Sequence, residues 1–232
     1  MNKKLVGFVL AFAILVSALG FGFAPARAAT PAKATVTVVH GVPGLTVDVY
    51  VNGAKALSNF APFTITDPLK LPAGTYNIVI VPAGGDPAKP AIAGSATLMP
   101  GRNYSIVANL DANGAPTLSV FRNNLFKWVD GNTRLHVRHL AAAPAVDLNL
   151  YKGANADKFF KEIGDVTNGE SIRTGILKPG VYSATLEPAG TETAIFGPAA
   201  LTLKPNVLTI VYAVGSLSGG SFTLLVQEIP VK

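Results

Sequence analysis

Cysteine is absent from the 232-residue chain. Its absence excludes disulfides, thiolate metal sites, a cysteine nucleophile and a lipid-modified N-terminal cysteine. Charged residues are also scarce, at 14%, whereas apolar residues make up 49% of the chain. This composition is that of a globular protein with a buried core, not of a disordered tail or linker. We therefore expect a fold that is held together by packing alone, even in an oxidising compartment.

Long apolar runs are absent except at the N-terminus. Lys3 and Lys4 precede an apolar stretch from Leu5 to about Ala24, and Ala26-Arg27-Ala28 then supplies small residues around a cleavage point. These features in this order predict a signal peptide over residues 1–28. An uncleaved membrane anchor is the alternative, since about 20 apolar residues can cross a bilayer. With cleavage we expect no membrane span, and a secreted or envelope-associated protein, periplasmic if the cell has two membranes.

Positive charge is less abundant than the formal net charge of +6 suggests. Lys3, Lys4 and Arg27 all lie in the predicted signal peptide, so its removal lowers the net charge to +3. Nucleic-acid binding requires a concentrated basic surface. We therefore expect no nucleic-acid partner.

The second half of the chain repeats motifs of the first half. In each copy a strand ending in His is followed eight residues later by Asp: His40 and Asp48 in the first, His139 and Asp147 in the second. A repeat unit of about 95–105 residues has the size of a domain, not of a solenoid turn. The predicted organisation is a domain at 34–122, an apolar linker at 123–132 and a domain at 133–229.

Hydrophobic residues alternate with a period of two within each copy. Asn52-Gly53 between alternating runs is a strong signal for a β-hairpin, because both residues tolerate positive φ. Six or seven short strands with frequent turns favour a β-sandwich. The one weak helix candidate, Asp157–Ile163, could equally be a loop. We predict an all-β chain with two tandem Ig-like β-sandwich domains after the signal peptide.

These motifs resemble the domain-of-unknown-function family numbered 4397, which is found in secreted bacterial proteins. The first copy matches closely from Thr35 to about Pro82, through its Val-Asp-Val-Tyr strand, Asn-Gly turn and Leu-Pro-Ala-Gly-Thr-Tyr segment. The second copy is looser, with Lys152-Gly153 in place of Asn-Gly. The resemblance implies an extracellular β-sandwich, often in tandem. It implies no activity, so no catalytic residue is carried over.

The repeated pairs His40 with Asp48 and His139 with Asp147 have two interpretations. Imidazole and carboxylate groups are metal ligands and catalytic groups, but a zinc site needs three or four ligands. Alternation points His40 toward the core and Asp48 outward, which favours a structural role, with each His bonded to the backbone of a turn. We expect no cofactor and no metal, and a metal-dependent enzyme is the third functional hypothesis.

Two further features are candidate interaction sites. Arg134, His136 and Arg138 occupy alternate positions of one strand and so project from one face. This basic stripe either docks an anionic polymer or is a solvated strand face, and it becomes more positive below about pH 6.5 as His136 is protonated. Trp128, the only tryptophan, lies in the apolar linker. It either packs between the domains or presents an aromatic ring to a sugar or a partner.

Recognisable enzyme motifs are absent from the sequence. We expect an exported, non-catalytic structural or interaction protein of the cell surface or the secreted fraction, with a carbohydrate- or polyanion-binding module of the envelope as the alternative. The expected partner is an envelope polymer or another surface protein, and self-association is open. Loops that differ between the copies are the candidate contact points: Gly41–Leu45 with Ala141–Pro144, and Gly84–Pro90 with Thr191–Thr193.

Overall fold

Alternating apolar residues and frequent turns produce a structure built from β-strands. The computed structural model describes residues 32–126 and 130–231, and within these ranges it contains strands and turns but no helix. None of the described residues forms a helix long and apolar enough to cross a membrane. The all-β prediction is confirmed. The predicted signal peptide and Trp128 lie outside the described residues.

Nine strands lie in the first half of the described chain and eight in the second. Those of the first half are β1 Lys33–His40, β2 Val47–Val51, β3 Ala54–Phe60, β4 Thr64–Ile65, β5 Leu69–Pro72, β6 Gly74–Pro82, β7 Ile92–Leu98, β8 Asn103–Leu110 and β9 Pro116–Asn123. Those of the second half are β10 Thr133–His139, β11 Val146–Lys152, β12 Lys158–Val166, β13 Ser171–Leu177, β14 Gly180–Pro188, β15 Phe196–Leu203, β16 Val207–Val214 and β17 Thr223–Pro230.

Each half contains two sheets, and the strand orders of the halves correspond. The first half has β3-β2-β6-β7 and β4-β1-β8-β9, with β5 also paired to β1. The second half has β12-β11-β14-β15 and β13-β10-β16-β17. Neighbouring strands are antiparallel except that β1 pairs with β8, and β10 with β16, in parallel. The apolar faces of the two sheets meet in each half, around Val36, Val49 and Ile106 in the first and Leu135, Leu148 and Val211 in the second. Each half is thus an Ig-like β-sandwich.

The hairpin predicted at Asn52-Gly53 joins β2 to β3. Both residues have positive φ, 50° and 82°, which is the geometry of a type I′ turn. The weak helix prediction at Asp157–Ile163 is wrong, because this segment enters β12 and pairs antiparallel with β11. Its neighbouring phenylalanines, Phe159 and Phe160, favour a strand, and pairing along β11 satisfies its backbone.

A third apolar cluster lies where the two halves meet. It combines Val39 and Val107 of the first half with Leu208, Ile210 and Tyr212 of the second, all fully buried. The faces of β1 and β8 that point away from their own core are therefore covered by β16 and its neighbours. The described residues belong to one compact unit.

Candidate functional site

Arg138, the most deeply buried charged side chain among the described residues, lies at the junction between the two halves. It projects from the face of β10 that points away from the core of the second half, and only 1% of it is exposed. Its guanidinium donates to Tyr212 Oη at 3.0 Å, to Asn123 Oδ1 at 2.5 Å and, through Nε, to Ser171 Oγ at 3.4 Å. All three acceptors are neutral. Arg138 therefore bridges residues of both halves.

The hydrogen-bond network extends beyond Arg138 across the junction. Tyr212 Oη lies 2.7 Å from Ser105 Oγ and 2.5 Å from Gln227 Oε1, and its single proton can serve one of them at a time. Gln227 Nε2 donates to Thr37 Oγ1 at 2.9 Å, and Asn123 Nδ2 donates to Ser105 Oγ at 3.0 Å. Buried polar networks with satisfied members fix one arrangement of the surrounding elements.

Aromatic rings compensate part of the cost of burying the Arg138 charge. The guanidinium carbon lies 4.2 Å from the centre of the Phe121 ring and 5.2 Å from that of Tyr212. These are cation–π distances. Burial lowers the pKa of Arg138 and raises the pKa of the Tyr212 hydroxyl. Arginine side chains in proteins remain protonated. The arrangement cross-links the halves and presents no acid or base to solvent.

The predicted solvent-facing basic stripe is therefore wrong. His136 and Arg138 are buried and Arg134 is half-buried, because the first half of the chain covers this face of β10. Burial, aided by the charges of Arg138, Arg173 and Arg134, lowers the pKa of His136 to about 4. The expected gain of positive charge below pH 6.5 is wrong for the same reason, because His136 stays neutral until the pH is far more acidic.

His40 and His139 lie at the ends of β1 and β10, and their Nε2 atoms make the same kind of contact. His40 Nε2 lies 2.8 Å from Leu45 O, and His139 Nε2 lies 2.9 Å from Pro144 O, five residues further along the chain in both cases. Val42 N donates to His40 Nδ1 at 3.3 Å, so the Nε2 atom of His40 carries the proton and donates to Leu45. Burial lowers the pKa of both imidazoles. Both rings hold a turn closed.

Asp48 is buried, with only 2% exposed, although alternation predicts that it points outward. It does leave the core face, but β3 and the loop after β6 cover it. Asp48 Oδ1 accepts from Asn59 N at 2.9 Å, and Oδ2 accepts from Gly84 N at 3.0 Å and from Lys55 Nζ at 2.7 Å. The Lys55 bond, with the two backbone donors, lowers the pKa of Asp48 to about 2.

Asp147 makes the same backbone contacts in the second half. Its Oδ1 accepts from Asp165 N at 2.7 Å and its Oδ2 from Gly190 N at 3.1 Å. Asn59 and Asp165, which supply the corresponding donors, both have positive φ, 52° and 56°. Each aspartate therefore ties an edge strand to the loop that follows the central strand, which is β6 in the first half and β14 in the second.

The structure does not bring the repeated His and Asp residues together as functional pairs, because each bonds to a separate part of the backbone. Within residues 32–126 and 130–231, no group of three or more His, Cys, Asp or Glu side chains could hold a metal ion.

Sequence reasoning missed two groups of structural residues. Tyr76 and Tyr182 each donate from Oη to a carbonyl four residues upstream, at 2.7 Å to Pro72 and 2.9 Å to Lys178. This contact resembles the tyrosine corner of Ig-type sandwiches. The recurrence of Tyr after the Gly of each turn is the signal that could have found it. Nothing in the sequence marked Tyr212, Ser105 or Asn123, because the residues of the second half meet Ser105 and Asn123 only when the halves pack.

Comparison with known proteins gives one family and several distant structures. The family model described as "Domain of unknown function (DUF4397)" matches residues 34–149. No curated protein matches the sequence at a significant level.

The solved structures are only weakly similar to this one. The Bacillus anthracis TIE protein is 15% identical with a TM-score of 0.27, and the match covers 78% of this chain and 33% of that one. The chain thus spans about a third of its length. Two structures described as a "putative cell adhesion protein" from Parabacteroides distasonis are 10% and 12% identical, both with TM-scores of 0.23. They match 88% and 87% of this chain and 100% and 98% of their own. TM-scores this low carry no inference about fold or function.

Proposed function

The chain belongs to the DUF4397 family, and from this premise we propose that it is an exported, non-catalytic interaction protein of the cell surface or the secreted fraction. One observation carries the proposal. Arg138, His136, both repeated histidines and both repeated aspartates are buried or bonded to the backbone as structural supports, while the loops that the aspartates hold are exposed. Side chains that could act as acids, bases or ligands are used here to stabilise the fold, and the exposed loops are left to make contacts. This arrangement suits binding better than catalysis.

The scaffold is suited to presenting loops in a fixed arrangement. Cluster residues such as Val39 and Ile210 exclude water from the junction, and the Arg138 network crosses it. A junction that is both apolar and hydrogen-bonded opposes independent motion of the halves. Binding of a partner that contacts both halves would then cost little conformational entropy.

The loops with the strongest case for contact follow β6 and β14. Gly84 and residues 86–90 are mostly exposed, and residues 191–193 are fully exposed. The lengths and sequences of these loops differ between the halves, whereas the aspartate anchors match. The other predicted pair is less suitable, since Gly41, Val42, Ala141 and Ala143 are buried.

Binding to the cell envelope tests this function. The chain from Ala29 onward is added to isolated envelopes of its own organism at low and at high salt. A variant in which residues 86–90 are replaced by a Gly/Ser segment of equal length loses one charge of each sign, Asp86 and Lys89. The matched control, Lys158→Ser with Glu162→Ser, removes the same charges from the exposed strand β12.

We expect saturable binding that survives high salt, because the basic stripe is buried and the loop carries no net charge. The loop variant should bind about tenfold more weakly or worse, and the control should bind as the unmodified chain does. Absence of saturable binding at both salt concentrations would contradict the proposal. So would binding that high salt abolishes and the loop replacement leaves unchanged.

A further inference from the structure

Both sandwiches contain an apolar cavity, but the cavities differ in size and position. The cavity of the second half has a volume of about 260 Å³, and that of the first half about 120 Å³. The larger one lies between the sheets and reaches the edge formed by β15 and β17, where Ala200, Leu224 and Val226 line it. Among the described residues lining it, Thr223 alone has a polar side chain.

One cause of the larger cavity is a smaller side chain in its lining, Ala184. Ile78 pairs with Val51 in the first half, and Ala184 pairs with Leu150 at the corresponding position of the second half. Both residues follow the repeated tyrosine by two positions. Ile78 fills the space that Ala184 leaves open, and neighbouring side chains in a packed core close such a space only in part.

The second cause is a residue that keeps the edge strands apart. In the first half β7 lies against β9, and Leu118 packs on Gly94 so closely that a Cβ on Gly94 would lie 2.9 Å from Leu118 Cδ2. The corresponding residues of the second half are Ala199, paired with Ala184, and Leu224, paired with Ala213. Ala199 carries a methyl group, for which the first half has no room at Gly94. Both Ala199 and Leu224 line the open cavity.

We propose that the cavity between β15 and β17 binds the aliphatic chain of an amphiphile whose polar group stays outside. This goes beyond the proposed function, which needs no bound small molecule. The cavity contains no charged group to pair with a polar ligand. An apolar cavity of about 150 Å³ accepts a hydrocarbon molecule, and this one is larger. Val226 lines the cavity and is 47% exposed, so it marks the mouth through which the aliphatic chain of the ligand enters.

Titration with 1-decanol, followed by methyl NMR of the full mature chain, tests the site. We expect saturable shifts for residues lining the cavity, such as Leu148 and Leu224. Ala184→Ile, which introduces the residue of the first half, should weaken binding at least about tenfold by filling the space. Ala199→Met fills it from the mouth and should do the same if Ala184→Ile fails to fold. Ala93→Ile, on the exposed face of β7, is the control and should leave decanol binding unchanged.

Sedimentation with phosphatidylcholine vesicles shows whether the bound aliphatic chain belongs to a membrane lipid or to a free amphiphile. Vesicle binding that Ala184→Ile abolishes assigns a membrane lipid, and decanol binding without vesicle binding assigns a free amphiphile. The proposal is overturned if decanol causes no saturable shifts, or if both cavity-filling variants bind decanol as tightly as the unmodified chain does. Envelope binding through the loop at residues 86–90 is measured separately, so either proposal can fail without the other.

Discussion

Asp48 and Asp147 show how single residues shape the exposed parts of this molecule. Each carboxylate accepts two backbone N–H bonds from segments that are far apart in the sequence, at Asn59 and Gly84 in the case of Asp48. The sequence predicted a repeated pair with His and an outward-facing Asp. It could not reveal the partners, because backbone donors at strand irregularities and in loops have no sequence signature.

Replacing Asp48 by Asn should weaken the fold at neutral pH and change its response to acid. The pKa of Asp48 is lowered from 3.8 to about 2 in the folded chain, so its stabilising effect is complete above about pH 4 and is lost as the pH falls toward 2. Thermal unfolding between pH 7 and pH 2 should show a lower Tm for Asp48→Asn at pH 7 and a flatter acid limb. Asp67→Asn removes an equal charge from an exposed residue and is the control. An unchanged acid limb in Asp48→Asn would contradict the assignment.

At the scale of strands, the sequence pattern predicts features that depend on local chemistry but not features that depend on how the two halves pack. Alternation and Asn52-Gly53 predicted the first hairpin correctly, because turn chemistry is local. Alternation also assigned residues to the two faces of β1 and β10, but it could not show that both faces are covered. The exposed stripe on β10 was therefore the wrong inference from a correct pattern.

Close approach of the halves makes Gly41 sensitive to substitution. A Cβ at Gly41 would lie 2.6 Å from Val214 Cγ1 and 3.2 Å from Ala108 O. Gly41→Ala should lower the free energy of unfolding by about 1–3 kcal/mol, through overpacking at the junction. Urea denaturation measures this. In a double-mutant cycle, Val214→Ala should recover part of the loss, and strict additivity of the two changes would contradict the contact.

For the whole molecule, the junction determines whether the halves behave as one body. Its apolar cluster and the Arg138 network both join β1, β8 and β9 to β10, β16 and β17. The sequence predicted an apolar linker that packs the domains together. Leu125 of that linker does pack against the junction cluster, and Asn123 accepts from Arg138. The other contacts come from the sheet faces, which no linear motif identifies.

Removal of Arg138 should uncouple the halves. Arg138→Ala leaves the buried Asn123 Oδ1 without its donor and removes one of the donors to Tyr212 Oη, so we expect a loss of roughly 2–5 kcal/mol in the free energy of unfolding. In scanning calorimetry the single transition expected of the unmodified chain should separate into two. Arg173→Ala removes an exposed arginine from β13 and should preserve one transition. A single, unshifted transition in Arg138→Ala would show that the network does not couple the halves.

The central claim, that this is an exported interaction protein, is tested most directly by locating the chain in the cells that produce it. Fractionation of those cells, with mass spectrometry of the N-terminus of the recovered chain, is the decisive measurement. We predict that the chain lies outside the cytoplasmic membrane and begins near Ala29, after removal of residues 1–28. A chain that remains in the cytoplasm and retains residues 1–28 would contradict the account.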